Sequence, residues 1–139
     1  MYDIFLVANY IISQCNKLEI KITHTILQNL LFLVQKESVT AYNHPCFAGD
    51  FYALDSGPLN LEINREYFSY HSRNLPESIC SDFCFSKQDQ YIIDSIISEY
   101  AEYGEGKIMS EICADELFLE ARKRSSQDYT EIIDFSTTK

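Results

Sequence analysis

The sequence is poor in residues that break secondary structure and contains no long apolar run. Its 139 residues include only four glycines and three prolines, whereas 46% are hydrophobic, which is typical of one packed domain and excludes a disordered chain. No apolar run approaches the roughly 20 residues of a membrane span, so we expect no transmembrane segment. Neither a glycine-rich phosphate loop nor the Gly-x-Ser-x-Gly pattern of a hydrolase nucleophile is present.

Basic residues are also scarce, because 11 Lys and Arg stand against 21 Asp and Glu and give a net charge of −10. Most of this excess lies in residues 76–121, which carry eleven acidic and only two basic side chains. Such a segment repels a phosphate backbone, so we expect no nonspecific binding of nucleic acids. Two interpretations remain for the acidic residues: a solvated surface, or a surface that docks a basic protein.

The N-terminus and the cysteines indicate a cytoplasmic protein. Asp3 stands where a signal peptide carries basic residues, and Asn9 interrupts the apolar stretch around it. The five cysteines fit reduced thiols better than a disulfide framework, which favours an even count and a secreted context.

Histidines and cysteines lie near each other in two places, His44 with Cys46 and His71 with Cys80 and Cys84. Neither set has the Cys-x2-Cys pairs of a zinc site, and buried cysteines that pack as small hydrophobic residues account for the pattern better. A Cys–His nucleophile pair is an equally unspecific interpretation, since five cysteines and three histidines always offer some combination. We therefore expect no metal, no cofactor and no enzymatic activity.

The spacing of apolar residues predicts a mainly α (α+β) fold of about five helices. Apolar residues recur every three or four positions in the first two helices, and Thr23 and Asn43 suit the N-cap and C-cap of the second. Ser86 and Asp89 form a near capping box at the start of the fourth helix. The predicted helices cover approximately residues 2–18, 24–42, 59–70, 87–103 and 108–123. We expect the first two to be the most buried.

A small antiparallel β element is expected around residues 46–54, with a pivot near Gly49-Asp50. The Asp-Ser-Gly-Pro stretch that ends at Pro58 then predicts a sharp corner into the third helix, with Pro58 in its first turn. If the φ angle of Gly57 is positive, we expect Gly57→Val to cost on the order of 1–3 kcal/mol of stability.

Four charged residues are candidates for contact with a protein partner. Asp94, Glu99 and Glu102 are predicted on one exposed face of the fourth helix, opposite a stripe of four isoleucines. The association rate of a basic partner would depend on these charges. Arg65, near the β element, marks the alternative binding surface.

Several short motifs occur in a specific order, and the clearest lie within NHPCFAGDFYALDSGPLNLEINREYFSY, residues 43–70. The residues concerned are Leu27, Gln28, Leu30, Leu31, Pro45, Phe47, Phe51, Ala53, Gly57 and Pro58. Together they resemble the pattern of the Panacea domain, the family of SocA-like antitoxins and phage-associated proteins. The sequence differs from that pattern at Leu54, where the family usually has Trp, and at Asn29, where Lys is common.

The resemblance covers roughly residues 1–124 and implies a single Panacea-like domain. A polar C-terminal tail over 125–139 follows it, and we expect this tail to fray. The resemblance further implies a non-enzymatic antitoxin that blocks a cognate toxin by direct contact, and some SocA-like members are thought to act as proteolytic adaptors as well. Two alternatives remain, a phage-encoded inhibitor of a basic host or defence protein and a small Cys–His enzyme. Self-association is left open.

Overall fold

In the computed structural model, which describes residues 1–76, 83–125 and 132–135, helices dominate and short strands connect them. The helices are α1 (Ile4–Lys17), α2 (His24–Tyr42), α3 (Leu61–Tyr67), α4 (Lys87–Tyr100), α5 (Gly104–Cys113) and α6 (Glu116–Ser125), with 3-10 turns at Phe68–Tyr70 and Ala101–Tyr103. The strands are β1 (Tyr2–Asp3), β2 (Phe47–Ala48), β3 (Tyr52–Leu54) and β4 (Gly57–Leu59). The predicted mainly α fold with a small antiparallel sheet is confirmed.

Helix α2 is the centre of the core and packs against α1, α4, α5 and β4. Eleven of its 19 residues are buried, more than on any other described helix. The hydroxyl of Thr23 accepts a hydrogen bond from the Ile26 N–H at 3.2 Å, and Asn43 ends the helix in the left-handed conformation at φ 60°. The predicted caps of this helix are therefore confirmed. Within the described ranges, no helix is long and apolar enough to cross a membrane.

The strands pair differently from the prediction. Strand β2 pairs in parallel with β1, and the Tyr2 N–H donates to the Cys46 carbonyl oxygen at 2.9 Å. The antiparallel pair consists of β3 and β4, which are joined by the two-residue turn Asp55-Ser56. The predicted pivot near Gly49-Asp50 is wrong because the strand before it pairs with the N-terminus and not with its neighbour in sequence. The antiparallel element accordingly lies over residues 52–59 rather than 46–54.

The corner predicted at Gly57 and Pro58 opens strand β4 and not α3. Gly57 has φ 116°, so the positive angle on which the Gly57→Val prediction depends is present. Pro58 lies opposite Ala53 in the strand pair. Helix α3 begins after Asn60, whose side-chain Oδ1 accepts a hydrogen bond from the Ile63 N–H at 3.0 Å. The placement of Pro58 in the first helical turn is wrong because this N-cap lies two residues further along.

Helices α4, α5 and α6 each begin at a capping side chain or at a glycine. The Ser86 hydroxyl accepts a hydrogen bond from the Asp89 N–H at 3.1 Å, as predicted. Gly104, at φ 78°, marks the change of direction between the 3-10 turn and α5. The single helix predicted over 108–123 is divided, because Asp115 Oδ1 accepts a hydrogen bond from the Leu117 N–H at 2.9 Å and thereby starts α6.

Part of the C-terminal segment packs on the core. Ile133 is 2% exposed, and its N–H donates to the Phe51 carbonyl oxygen at 2.8 Å beside strand β3. The ring centroid of Phe135 lies 5.6 Å from that of Phe32 and 6.2 Å from that of Phe51. The expectation that the tail frays is wrong for residues 132–135, because two inward-facing apolar residues at alternate positions anchor them.

Candidate partner-binding surface

Residues 43–70, which contain the clearest motifs and are called the signature segment, are joined to α2 by two of its buried glutamines, Gln28 and Gln35. Gln28 Nε2 donates to the Asn60 carbonyl oxygen at 3.0 Å, and the Asn60 N–H donates back to Gln28 Oε1 at 2.9 Å. Gln35 Nε2 donates to the Phe47 carbonyl oxygen at 2.8 Å, while its Oε1 accepts from the N–H groups of Cys46 and Phe47 at 2.9 and 3.2 Å. Each glutamine therefore satisfies backbone groups that lie away from water.

The residues that match the family pattern are mostly interior residues. Leu27, Leu30, Leu31, Phe47, Phe51 and Ala53 are 0% exposed, Gln28, Gly57 and Pro58 are also buried, and Pro45 is exposed. Since a partner cannot reach buried side chains without unfolding the core, these residues specify the fold. The binding surface has to be sought among other side chains.

A groove of about 270 Å³ lies between the second half of α2 and one flank of α4, and we call it the α2–α4 groove. Two of its tyrosines are well exposed, Tyr91 at 69% and Tyr42 at 40%. Its apolar lining is contributed by Leu33, Ala41, Ile92 and Ile96. Exposed aromatic side chains beside apolar ones are the composition enriched in the centres of protein–protein interfaces.

Two carboxylates, Glu37 on α2 and Glu99 on α4, line the groove together with Tyr100. Burial raises the pKa of the Tyr100 phenol, and the charges of Glu99 on α4, Glu111 on α5 and Glu37 on α2 raise this pKa further. All three glutamates are exposed to solvent. The arrangement can therefore accept a Lys or Arg side chain that approaches Tyr100 from outside.

The basic residue in the lining of the groove does not cancel this charge. Lys36 is ion-paired with Asp115, whose side chain is 6% exposed. Because Asp115 also caps α6, the fold sets its position, and Lys36 is engaged there. The groove therefore presents net negative charge to a partner.

The structure separates the three carboxylates that were predicted on one face of the fourth helix. Glu99 lines the α2–α4 groove, whereas Asp94 accepts a hydrogen bond from the Tyr10 hydroxyl of α1 at 2.6 Å. Glu102 belongs to the 3-10 turn after α4 and lines a different depression, of about 640 Å³, beside the α1–α2 connection. All three are exposed and the isoleucine stripe is buried, as predicted, but the three do not share one surface, because the regular helix ends at Tyr100 and α1 contacts one flank of α4.

Arg65 lies on α3 between two exposed apolar side chains. Leu61 is 48% exposed and Phe68 is 60% exposed, and their spacing of four and three residues from Arg65 places all three on one side of the helix. We call these three residues the α3 ridge. Among the residues that the structure describes, Arg65 forms no ion pair. The ridge is thus the second candidate for contact with a partner.

The hydrogen bond between Tyr10 and Asp94 predicts a loss of stability at alkaline pH. Burial raises the pKa of Tyr10 above its ordinary value, and the hydrogen bond and charge of Asp94 raise that pKa further. Because the folded pKa exceeds the unfolded one, the stabilisation is complete below about pH 10 and is lost as the pH rises above that value. We expect the urea midpoint of unfolding to decrease as the pH rises from about 9.5 to 11, and to decrease less in Tyr10→Phe. Identical pH dependence in both chains would show that Tyr10 ionises as freely when folded as when unfolded.

The buried cysteines are not activated nucleophiles. Burial raises the pKa of Cys15 to about 11 and that of Cys46 to about 12, so both thiols stay protonated at neutral pH. The set of His44 and Cys46 therefore lacks the thiolate that a Cys–His enzyme needs. Of the second set, Cys84 is exposed and Cys80 lies outside the described residues. In the part of the chain that the structure describes, no three His, Cys, Asp or Glu residues could hold a metal ion.

The sequence does not indicate that Glu37 lies in the same groove as Glu99, or that the charge of Glu111 acts on Tyr100. Glu37 belongs to the first 43 residues, in which acidic and basic side chains balance, so the charge distribution along the sequence does not single it out. Glu111 lies in the acidic segment, but nothing in its local sequence indicates that it approaches Tyr100. The eight-residue spacing of Tyr91 and Glu99 places both on one flank of α4. This spacing was the signal in the sequence that could have indicated the groove.

A family model described as "Antitoxin SocA-like, Panacea domain" matches residues 27–117, which is more than half of the chain. The matched range begins within α2 and ends within α6, and it contains the signature segment, the α3 ridge and the whole α2–α4 groove. The resemblance predicted from the motifs is confirmed. No curated protein and no solved structure matches the chain.

Proposed function

The chain belongs to the SocA-like antitoxin family of Panacea domains, and on this basis we propose that it neutralises a basic toxin protein by direct contact. We propose the α2–α4 groove as the surface of this contact. The observation that carries the proposal is the lining of this groove, in which Glu37 and Glu99 lie beside Tyr100 and the exposed Tyr42 and Tyr91. The charge of Glu111 also acts on Tyr100. A Lys or Arg side chain of the toxin would bind among these carboxylates.

The composition of the groove supports a protein partner rather than a small ligand. Tyr42 and Tyr91 supply exposed aromatic area, and tyrosine is enriched among the residues that dominate binding energy in interfaces. The apolar lining would provide affinity, while the carboxylates would guide a basic partner during its approach. The net charge of −10 extends this attraction over the whole molecule at low salt.

The test begins with capture of the partner from the native host by the purified chain, followed by its identification. Binding kinetics are then measured for the wild type and for a variant that combines Glu37→Gln, Glu99→Gln and Glu111→Gln. We expect association to slow roughly tenfold at low salt, because the lost charges steer the encounter, and the difference to shrink at high salt. Thermal unfolding should change little, since exposed charges contribute little to stability.

A matched control removes the same number of charges elsewhere. The exposed residues Glu62, Glu66 and Glu120 lie on α3 and α6, outside the groove, and their replacement by Gln should leave the association rate close to that of the wild type. Equal slowing in both triple variants would show that net charge acts without a specific site. If neither variant slows association while Arg65→Glu does, the α3 ridge is the binding surface and the groove proposal is wrong.

The alternative target is a basic host or defence protein that is not toxic to its own cell. The same groove and charges would serve such an inhibitor, so the two targets differ only in what the captured protein does. If the captured protein is a toxin, we expect expression of that protein alone to arrest growth of the host and co-expression of this chain to restore growth. Growth without arrest would favour the inhibitor, and a fall in toxin abundance on co-expression would indicate that the chain also acts as a proteolytic adaptor.

A further inference from the structure

The open edge of the β3–β4 hairpin is occupied by the chain's own C-terminal segment. Ile132 forms an antiparallel bridge with Tyr52 of β3, on the edge that β4 does not use. The Ile133 N–H donates to the Phe51 carbonyl oxygen at 2.8 Å, and Arg124 Nη2 donates to the Ile132 carbonyl oxygen at 3.1 Å. The segment is therefore bound in the manner of a peptide added to a sheet edge.

The side chains of this segment alternate between the core and the solvent. Ile133 is 2% exposed and Phe135 packs on a cluster of aromatic rings, whereas Ile132 is 39% exposed and Asp134 is exposed. This period of two is that of a β-strand with one buried side. The site consequently recognises an extended segment with an aliphatic residue followed two positions later by an aromatic one.

Open space adjoins the described part of the segment. A cavity of about 560 Å³ lies beside it, lined by the segment and by residues including Met1, Pro45 and Gly49. The described contacts are the bridge at Tyr52, the hydrogen bond to the Phe51 carbonyl oxygen and the packing of Ile133 and Phe135 on the core. They lie at the edge of a three-residue strand, so a competing segment of the same pattern could replace them and use the adjoining space.

We propose that the β3 edge is a peptide-binding site for an extended aliphatic–x–aromatic segment of a protein partner, and that Ile132–Phe135 is its resident occupant in the free chain. A partner segment of this pattern displaces the resident one and extends into the adjoining cavity. The site does not include the α2–α4 groove. The inference therefore stands independently of the proposed function and can fail without affecting it.

The test uses the full chain and a fluorescent peptide of residues 130–137, TEIIDFST. In the variant Ile133→Asp, a charge opposes burial of the resident segment and leaves the edge accessible. We expect the peptide to bind this variant at least about tenfold more tightly than the wild type, in which the tethered segment competes at an effective concentration in the millimolar range. Fluorescence anisotropy gives both affinities, and circular dichroism checks that the helices remain folded.

The control peptide carries Phe135→Ala and should bind the variant at least about tenfold more weakly, because it lacks the ring that packs in the aromatic cluster. If Ile133→Asp does not fold, the milder full-chain variant Phe135→Ala takes its place in the same measurement. Equal affinity for wild type and variant would place the peptide elsewhere and overturn the proposal. Absence of binding to the folded variant at about 1 mM peptide would overturn it as well.

Discussion

Gln35→Ala is expected to lower the free energy of unfolding by about 3 kcal/mol. The substitution removes three hydrogen bonds and leaves the carbonyl oxygen of Phe47 and the N–H groups of Cys46 and Phe47 without partners. Cys46 and Phe47 are at most 1% exposed, so water cannot readily replace the lost contacts. Each unsatisfied buried group costs about 1–3 kcal/mol, and the cavity adds to this. Urea unfolding followed by circular dichroism measures the change.

Two further variants separate the hydrogen bonds from the other consequences of the substitution. Gln35→Met keeps the volume of the side chain but cannot bond the backbone, so it should lose most of the same stability. Gln88→Ala truncates an exposed glutamine of α4 and should change stability by no more than about 0.5 kcal/mol. A Gln35→Met variant as stable as the wild type would show that the glutamine is needed only to fill space.

Gly57→Val is expected to destabilise the chain by about 3 kcal/mol, at the upper end of the range predicted from the sequence. A side chain at φ 116° strains the backbone by about 1–3 kcal/mol. The structure adds a second cost, because a Cβ atom at Gly57 would lie 3.0 Å from Met109 Sδ and 3.3 Å from Asn29 Oδ1. Asn29 is 1% exposed, so its Oδ1 has little room to move away. The melting temperature and urea midpoint should both fall.

Gly106→Val is the matched control for this substitution. Gly106 lies in the first turn of α5, and a Cβ atom built there meets nothing within 4 Å. Valine also forms helix more readily than glycine, so stability should stay within about 0.5 kcal/mol or rise slightly. Equal losses at Gly57 and Gly106 would mean that the hairpin tolerates the strain. The additional cost assigned to Met109 and Asn29 would then be wrong.

The helices that could be predicted are those whose limits depend on neighbouring residues. Thr23 and Ser86 bond the N–H groups three residues later, and Asn43 takes the left-handed conformation that ends α2. Such contacts form within one turn and can be recognised wherever the residues occur in order. Asp115 acts in the same local way, and the division between α5 and α6 was missed because the apolar pattern continues across it.

The pairing of strands was predicted less well because it joins distant parts of the chain. Strand β2 pairs with the N-terminal β1, and the edge of β3 is covered by Ile132 and Ile133 from the C-terminus. Strands of two or three residues carry too little pattern to identify a partner. Which of the possible segments pair is decided only when packing of the core brings distant parts of the chain together.

The sequence by itself determined the mainly α fold, the main caps and the family to which the chain belongs. These follow from interactions within a few residues and from an ordered set of motifs, most of which are buried. Only the tertiary structure decided which charges act together. It turned Asp94 towards Tyr10, placed Glu102 in another depression, and brought Glu37 beside Glu99 in the α2–α4 groove. Electrostatic interactions depend on distance in space, and helices far apart in the chain meet only where the packing of their apolar sides puts them.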